Sequence, residues 1–301
     1  MAYSGGSGIS ADPYQIASLS DINQLKADVV AGLTNDVYYK QTADITLGTF
    51  EPIGYKSTTP YYYLFEGNYD GDNKILQNGT ISYPGKSYIG IFAHMKNSSA
   101  LQQNINVKNV KVTGADNTGC ITGRLYTTIT NCKTDNQCEV TGTGANTGGI
   151  CGYASYFRIR NCKNSASVVG GIYTGGLVGY ISAGDDSGEG MAIKNSHNEG
   201  SVVGTNYVGG IVGYGIGGSS YYGRMFYCIN TGNISAITYG GGIAGEVHAS
   251  NLSGIYNCYA LNSSITRLSG ASVYFGRISS SNSGYIDNNY AIDTMQFISI
   301  P

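Results

Sequence analysis

Apolar and polar residues alternate over short runs through most of this chain. Glycine or asparagine breaks each run, and an apolar set at helical spacing appears only between Ser18 and Val30. Such alternation predicts strands, and the strands recur in a fixed order. A glycine phrase returns as Gly148-Gly149-Ile150-Cys151-Gly152, Gly175-Gly176-Leu177-Val178-Gly179, Gly209-Gly210-Ile211-Val212-Gly213 and Gly241-Gly242-Ile243-Ala244-Gly245. Weaker copies lie at Gly119 to Gly123 and Ser272 to Gly276. The closing glycines, 123, 152, 179, 213, 245 and 276, are 29, 27, 34, 32 and 31 residues apart. A period of about 20–50 residues is the signature of a solenoid.

Two further columns share the period. An Ile-x-Asn-Cys-like segment precedes each phrase: Ile129/Asn131/Cys132, Ile159/Asn161/Cys162, Ile193/Asn195/Ser196, Met225/Tyr227/Cys228, Ile255/Asn257/Cys258 and Ile286/Asn288/Asn289. A Val-x-Gly column runs through Val112/Gly114, Val140/Gly142, Val168/Gly170 and Val202/Gly204. Three strands per unit with polar corners make one rung of a parallel β-helix. The expectation is an all-β, right-handed parallel β-helix of about seven to eight rungs. Rungs stack about 4.8 Å apart, so each residue sits on its equivalent in the next rung. Repeated Ile, Val and Leu then form apolar ladders. Glycine serves corners with φ > 0 or close backbone approach, and Asn suits left-handed turns.

The first 85 residues read as an N-terminal cap with the first coil, residues 86–292 as the repeats, and 293–301 as an apolar tail. In the cap, Ile22, Leu25 and Val29 share a helix face, Ser18 or Ser20 can cap it, and Gly32 ends it. Strands are expected over Tyr38 to Ile45, Thr49 to Ile53 and Tyr62 to Phe65, with a tight turn through Asn68 to Asn73 and the first coil from Ile75. The tail residues Ile292, Met295, Phe297, Ile298 and Ile300 fold over the end of the last coil or meet a partner.

Composition narrows the function classes. Charged residues are 12% of the chain and the net charge is −2, with no basic stripe for nucleic acid. No apolar run reaches the roughly 18 residues of a membrane span, and residues 1–20 show no signal peptide. The seven cysteines are read as free thiols. Cys132, Cys162, Cys228 and Cys258 share one repeat position with Ser196 and Asn289, which suits small buried side chains. Cys120, Cys138 and Cys151 fall in no clear column.

An ordered series opens the chain: Gly6-Ser7-Gly8, Ala11-Asp12-Pro13-Tyr14-Gln15-Ile16, Ala43-Asp44-Ile45, Phe50-Glu51-Pro52-Ile53-Gly54, Phe65-Glu66-Gly67-Asn68-Tyr69-Asp70-Gly71 and Ile89-Gly90-Ile91-Phe92. Together with the later Gly-Gly-Leu-Val-Gly phrases, it resembles proteins carrying the GLUG motif. Ala93, where a glycine is usual, departs from that pattern. The resemblance implies β-helical segments of bacterial adhesins, secreted peptidases or phage tail proteins. It brings no catalytic set with it.

Connections of changing length follow each glycine phrase, at 124–128, 153–158, 180–192, 214–224, 246–254 and 277–285. Insertions gathered on one face of a solenoid often mark a binding face. The candidate binding residues there are Arg124, Tyr126, Tyr153, Tyr156, Arg158, Tyr180, Tyr214, Tyr221, Tyr222, Arg224 and Tyr285, read as Tyr-rich corner loops. With 27 Tyr, no Trp and abundant Gly, Ser and Asn, this vocabulary suits a sugar or a protein epitope. Tyr also simply suits strand surfaces. Asp185, Asp186 and Glu189 form an acidic loop that reads as solvated surface, with Ca²⁺ binding as the weaker reading.

The expected function is non-catalytic recognition, foremost by a phage tail receptor-binding tip on a virion that contacts host cell-surface glycan or protein. A homotrimer or attachment to other tail proteins goes with that setting. A polysaccharide depolymerase and a structural spacer of a bacterial surface adhesin are the alternatives. No nucleic acid, membrane insertion or obligatory cofactor is expected.

Overall fold

A computed structural model describes residues 3–55, 63–182, 192–216, 223–248, 254–269, 274–282 and 285–300. The three repeat columns become three sheets. Two have 15 strands and one has six. Each strand pairs in parallel with its equivalent one repeat away, and the chain winds as a β-solenoid of about seven turns.

The register joins the residues aligned by the repeat. Ile129, Ile159, Ile193, Met225, Ile255 and Ile286 stack in the first large sheet. Val112, Val140, Val168, Val202, Ile234, Ile265 and Phe297 stack in the second. Gly119, Gly148, Gly175, Gly209, Gly241 and Gly276 stack in the short sheet. From Ile129 to Ile255 and from Val112 to Ile265 these side chains are buried. At about 1.5–3 kcal/mol for each large apolar side chain removed from water, the two columns are a main source of stability.

One asparagine column precedes the second large sheet and another begins within its strands. Asn131, Asn161, Asn195, Asn257 and Asn288 hold φ between 50° and 54°, the left-handed turn expected of them, and Tyr227 takes the same conformation at 55°. Directly after this turn stands the cysteine column, whose members must accept a backbone N–H from the coil before. Ile105 N donates to Cys132 Sγ (3.4 Å), Cys162 N to Ser196 Oγ (3.1 Å) and Cys258 N to Asn289 Oδ1 (2.7 Å). Thiol, hydroxyl and amide interchange there because each is small and can accept. All seven cysteines are buried free thiols. Cys151 also has a column, between Thr122 and Val178.

The second asparagine column lies inside. Asn164 donates to Asn198 (2.9 Å), Asn198 to Asn230 (2.8 Å) and Asn230 to Asn262 (3.3 Å). Thr134 Oγ1 donates to Asn164 (2.6 Å), and each asparagine also donates to the carbonyl two residues on. These four asparagines are fully buried, and the ladder satisfies groups that would otherwise cost about 1–3 kcal/mol apiece.

The glycine phrase serves these close approaches. None of its described glycines lies in the left-handed region. A Cβ on Gly149 would sit 2.3 Å from Asn164 Cγ, so its second glycine clears the amide ladder. A Cβ on Gly179 would sit 2.4 Å from Thr147 N, so its last glycine lets the first large sheet fold back onto the short sheet.

At the N-terminus, helix α1 (Leu19–Val30) starts at Ser18, whose side chain accepts from Asp21 N, and buries Ile22, Leu25 and Val29. Parallel pairing begins earlier than the cap reading placed it. Tyr14–Ile16 pairs with Tyr38–Gln41, which pairs with Asn68–Asp70, while Ile45–Thr49 pairs with Ile75–Ser82. The expected strands through Ile53 and Phe65 reduce to isolated bridges, and part of that segment lies outside the described residues. The apolar tail does not fold over the last coil. Gln296–Ser299 continues the second large sheet by pairing with Ser264–Arg267, because Phe297 extends the valine column.

Two substitutions test this account by urea denaturation. Gly179→Ala should cost about 1–3 kcal/mol through overpacking, whereas Gly215→Ala, with nothing within 4 Å of its Cβ, should change stability little. Asn198→Ala should cost at least as much as Gly179→Ala, because it leaves amide groups of both Asn164 and Asn230 without their partners.

Candidate functional site

Where the chain folds back at the glycine phrase, tyrosines from both sides meet. Tyr153, Tyr180 and Tyr214 stand in register on Cys151–Ala154, Val178–Ile181 and Val212–Ile216 of the first large sheet. Their rings stack at 5.5 Å and 12° (Tyr153–Tyr180) and at 5.8 Å and 13° (Tyr180–Tyr214). Tyr173, Tyr207, Tyr239 and Tyr274 stand in register in the short sheet and stack at 5.5, 4.5 and 5.3 Å. The two columns interlock across the corner. Tyr173–Tyr180 centroids are 5.2 Å apart, Tyr173–Tyr214 5.0 Å and Tyr207–Tyr214 4.9 Å.

This seam runs along the solenoid axis. Rings stacked in register cover one another's faces, at about 0.5–1.5 kcal/mol per pair beyond burial. What they offer outward is ring edges and hydroxyls. Burial holds the phenols of Tyr180 and Tyr207 above their ordinary range and pushes Tyr214 up to about 12, with the Glu246 carboxylate adding to the last two. These hydroxyls therefore stay protonated donors at neutral pH.

The first column begins beside the Arg124 cation and ends beside an acidic group, with Arg124 before Tyr153 and Glu246 after Tyr214; His94 lies one coil before Arg124. The Arg124 guanidinium lies 4.6 Å from the Tyr126 ring centroid, 4.9 Å from Tyr153 and 5.8 Å from Tyr88, and it donates to the Tyr126 hydroxyl. Tyr126 stacks on Tyr156 (5.9 Å, 21°) and tilts over His94 at 5.4 Å. His94 is 7% exposed. Burial, with smaller contributions from the Arg124 and Lys96 charges, lowers its pKa to about 3.

Beside Tyr126 and Tyr156 opens a cleft of about 440 Å³, completed by Asn35, Glu66, Lys96, Asn97 and Ser98. Its wall is a register break. Phe92–Gln103 follows Thr122–Thr130 up to Lys96 and resumes at Leu101, leaving residues 97–100 bulged.

The structure thus gathers Arg124, Tyr126, Tyr153, Tyr156, Tyr180 and Tyr214. It corrects their description as corner loops. Arg124 and Tyr126 lie inside the unbroken strand Thr122–Thr130, Tyr153, Tyr180 and Tyr214 on strands, and only Tyr156 in a connection. The strands run on past the glycine phrase before each insertion begins. Arg158, Arg224 and Tyr285 are strand residues too, in a separate column on the far side of the interruption. Tyr221, Tyr222, Asp185, Asp186 and Glu189 lie outside the described residues. Among those described, no three His, Cys, Asp or Glu side chains come together as a metal-binding group. Sequence reasoning passed over Tyr173, Tyr207, Tyr239 and Tyr274, although a Tyr two residues before a phrase glycine in four successive repeats was the available signal.

Residues 143–169 match the model of a family described as the GLUG motif. The chain is thus a parallel β-helix that carries a GLUG motif in these residues. Over 158 residues, 49% of its length, it is 29% identical to halomucin of Haloquadratum walsbyi and spans 2% of that protein. The GLUG-repeat fold also superposes on the crystal structure of a Bacteroides ovatus protein provisionally named an immunoglobulin A1 protease. The TM-score is 0.70, covering 96% of this chain and 87% of that one at 21% identity. Likeness at that identity is one of fold.

The lowered pKa of His94 carries a pH dependence. The unfolded imidazole takes up a proton near pH 6.5 while the folded one stays neutral down to about 3. Its contribution is therefore complete above 6.5 and is lost as pH falls below it, by about 1.4 kcal/mol per unit. In urea titrations between pH 7 and about 5, wild type should lose stability more steeply than His94→Gln. Parallel curves would show that His94 is not the source.

Proposed function

We propose that this GLUG-repeat β-helix is a non-catalytic recognition module of a cell-surface or secreted protein, contacting a cell-surface glycan or protein along its tyrosine seam. One observation carries the reading: seven tyrosines from successive coils are brought into two interlocked columns on a single edge. Tyr combines apolar area with a polar tip at low entropic cost, which favours it at contact surfaces. The halomucin and Bacteroides relatives support a cell-exterior setting. They lend none to the phage-tail tip expected from the sequence.

A second reading has its own support. Ring faces spent on stacking stabilise the rod whether or not anything binds, as in a structural spacer of an adhesin.

The triple variant Tyr180→Phe, Tyr207→Phe, Tyr214→Phe separates the two, because it keeps the stack and removes the hydroxyls. With fluorescently labelled protein on a panel of bacterial and mammalian cells, recognition predicts at least a tenfold loss of binding at unchanged melting temperature. Three lost hydrogen bonds at about 1 kcal/mol each are sufficient for that. Equal binding by wild type and variant would reject the seam hydroxyls as the contact, and no binding by either would leave the spacer reading.

A further inference from the structure

Most of the exterior follows the stacking rule, with like residue over like. The cleft beside Tyr126 and Tyr156 is where the rule fails twice, next to a third residue held in place by hydrogen bonds. The strand Phe92–Gln103 bulges between Lys96 and Leu101. Tyr156 adopts φ 51°, a left-handed conformation uncommon for a bulky residue. Glu66 belongs to the connection before Asn68–Asp70 yet is fixed from both sides. Its N–H donates to the buried Thr34 hydroxyl at 3.2 Å, and its carbonyl accepts from Asn97 Nδ2 at 2.9 Å. Departures of this kind cost free energy and cluster at functional sites.

We infer that this cleft is a binding subsite for a neutral saccharide unit, with Tyr126 and Tyr156 forming its aromatic wall and Glu66, Lys96 and Asn97 its hydrogen-bonding groups. The inference rests on the recognition reading above and narrows it to one ligand class.

The chemistry selects that class. A volume of about 440 Å³ lies within the range of small-molecule sites, roughly 300–1,000 Å³. The wall is aromatic, and the ring of Tyr126 is held in place by Arg124 on one side and His94 on another, so little order remains to be imposed on binding. Around it stand one carboxylate, one ammonium and two amides. Neither Glu66 nor Lys96 makes an ion pair among the described residues. Opposite charges of equal number leave no net charge to favour an anion or a cation, whereas a polyol can donate to the carboxylate and accept from the ammonium. Asn97 uses one N–H on Glu66 and one lone pair on Ser99 N (3.0 Å), which leaves one donor and one acceptor to a ligand. An apolar peptide would bury these groups without partners.

The test uses saturation-transfer NMR on the full chain with methyl glycosides of galactose, glucose, mannose, N-acetylglucosamine and fucose. At least one should show saturable transfer, and its dissociation constant should rise at least tenfold in both Glu66→Gln and Tyr156→Ala. Lys111→Ala, on the opposite large sheet in an exposed ion pair with Glu139, should leave it unchanged. Glu66→Gln is nearly isosteric, so it remains informative if Tyr156→Ala fails to fold. No transfer to any glycoside, or transfer that neither variant weakens, overturns the cleft assignment. Capture of a carbohydrate-free peptide at the same residues overturns the ligand class. The cell assay is read separately. Attachment that persists in Glu66→Gln but falls in the seam variant rejects the cleft and retains the recognition reading, while absence of attachment by wild type rejects the recognition reading itself.

Discussion

Parallel backbone pairing between successive coils is the constraint from which the rest follows. It sets each residue about 4.8 Å from its equivalent one coil away, so a side chain must tolerate a near copy of itself above and below. Aliphatic side chains meet this by packing, asparagine amides by donating to the next and accepting from the last, and tyrosines by stacking. Charges meet it badly, since like charges directly opposite repel. Charged residues are accordingly scarce, at 12% of the chain. Where they occur, some are neutralised across coils, as in Lys111–Glu139 (2.8 Å) and Lys163–Glu199 (2.7 Å). The same rule explains why the thiol column accepts serine and asparagine: an unpaired N–H from the coil before must find an acceptor at that height.

Much of the fold was legible because the constraint writes itself into the sequence as columns. The isoleucine and valine columns are joined residue by residue in the paired register, and so are the glycine phrases as far as Gly245. The last copy was set four residues out, because Gly276, aligned with Gly245 in the sequence, pairs with Gly241. The left-handed asparagine turn followed from the same alignment. Relations across the coil were not legible. Asn164, Asn198 and Asn230 stood in none of the columns read from the sequence, and only the folded coil shows them inside, against Gly149, Gly176 and Gly210. The tyrosine seam was half read for the same reason. The column after each glycine phrase was found, though mistaken for loop, while the column before it joins the site only because the chain doubles back at the corner. The strand in the tail went unread because its pairing strand, Ser264–Arg267, lies in the preceding coil and its apolar residues alternate too briefly to announce a strand.

The two ends of the rod solve different problems. At the start, rings and a helix fill the space under the first coils: Tyr3 stacks on Tyr14 (4.4 Å), Tyr39 meets Phe65 (5.8 Å) and Phe65 meets Phe92 (5.1 Å). Asp21 ties this plug together. Burial alone would raise its pKa, yet hydrogen bonds from Ser18, Ser4 and the Ala17 backbone hold it below the usual carboxylate range. At the last described coil Phe297, Ile298 and Ile300 are all more than 40% exposed. The apolar columns thus run from a closed aromatic end to a strand that still shows its side chains to solvent.

A stack of this kind separates rigidity from recognition along one surface. Where equivalents coincide, side chains spend their interactions on one another: the seam tyrosines cover their own faces and leave a row of hydroxyls whose spacing the backbone fixes. Where the repeat is interrupted, at the bulge after Lys96 and the left-handed Tyr156, side chains have no copy of themselves to satisfy and their groups turn to something else. A regular array suits an extended ligand that repeats at a similar interval, whereas a single irregularity suits one unit and sets its position on the array. The ordered rings and pinned backbone of the cleft would lower the entropic cost of binding the proposed unit. Ligand choice would then depend on the few residues that break the repeat, and reach on the many that obey it.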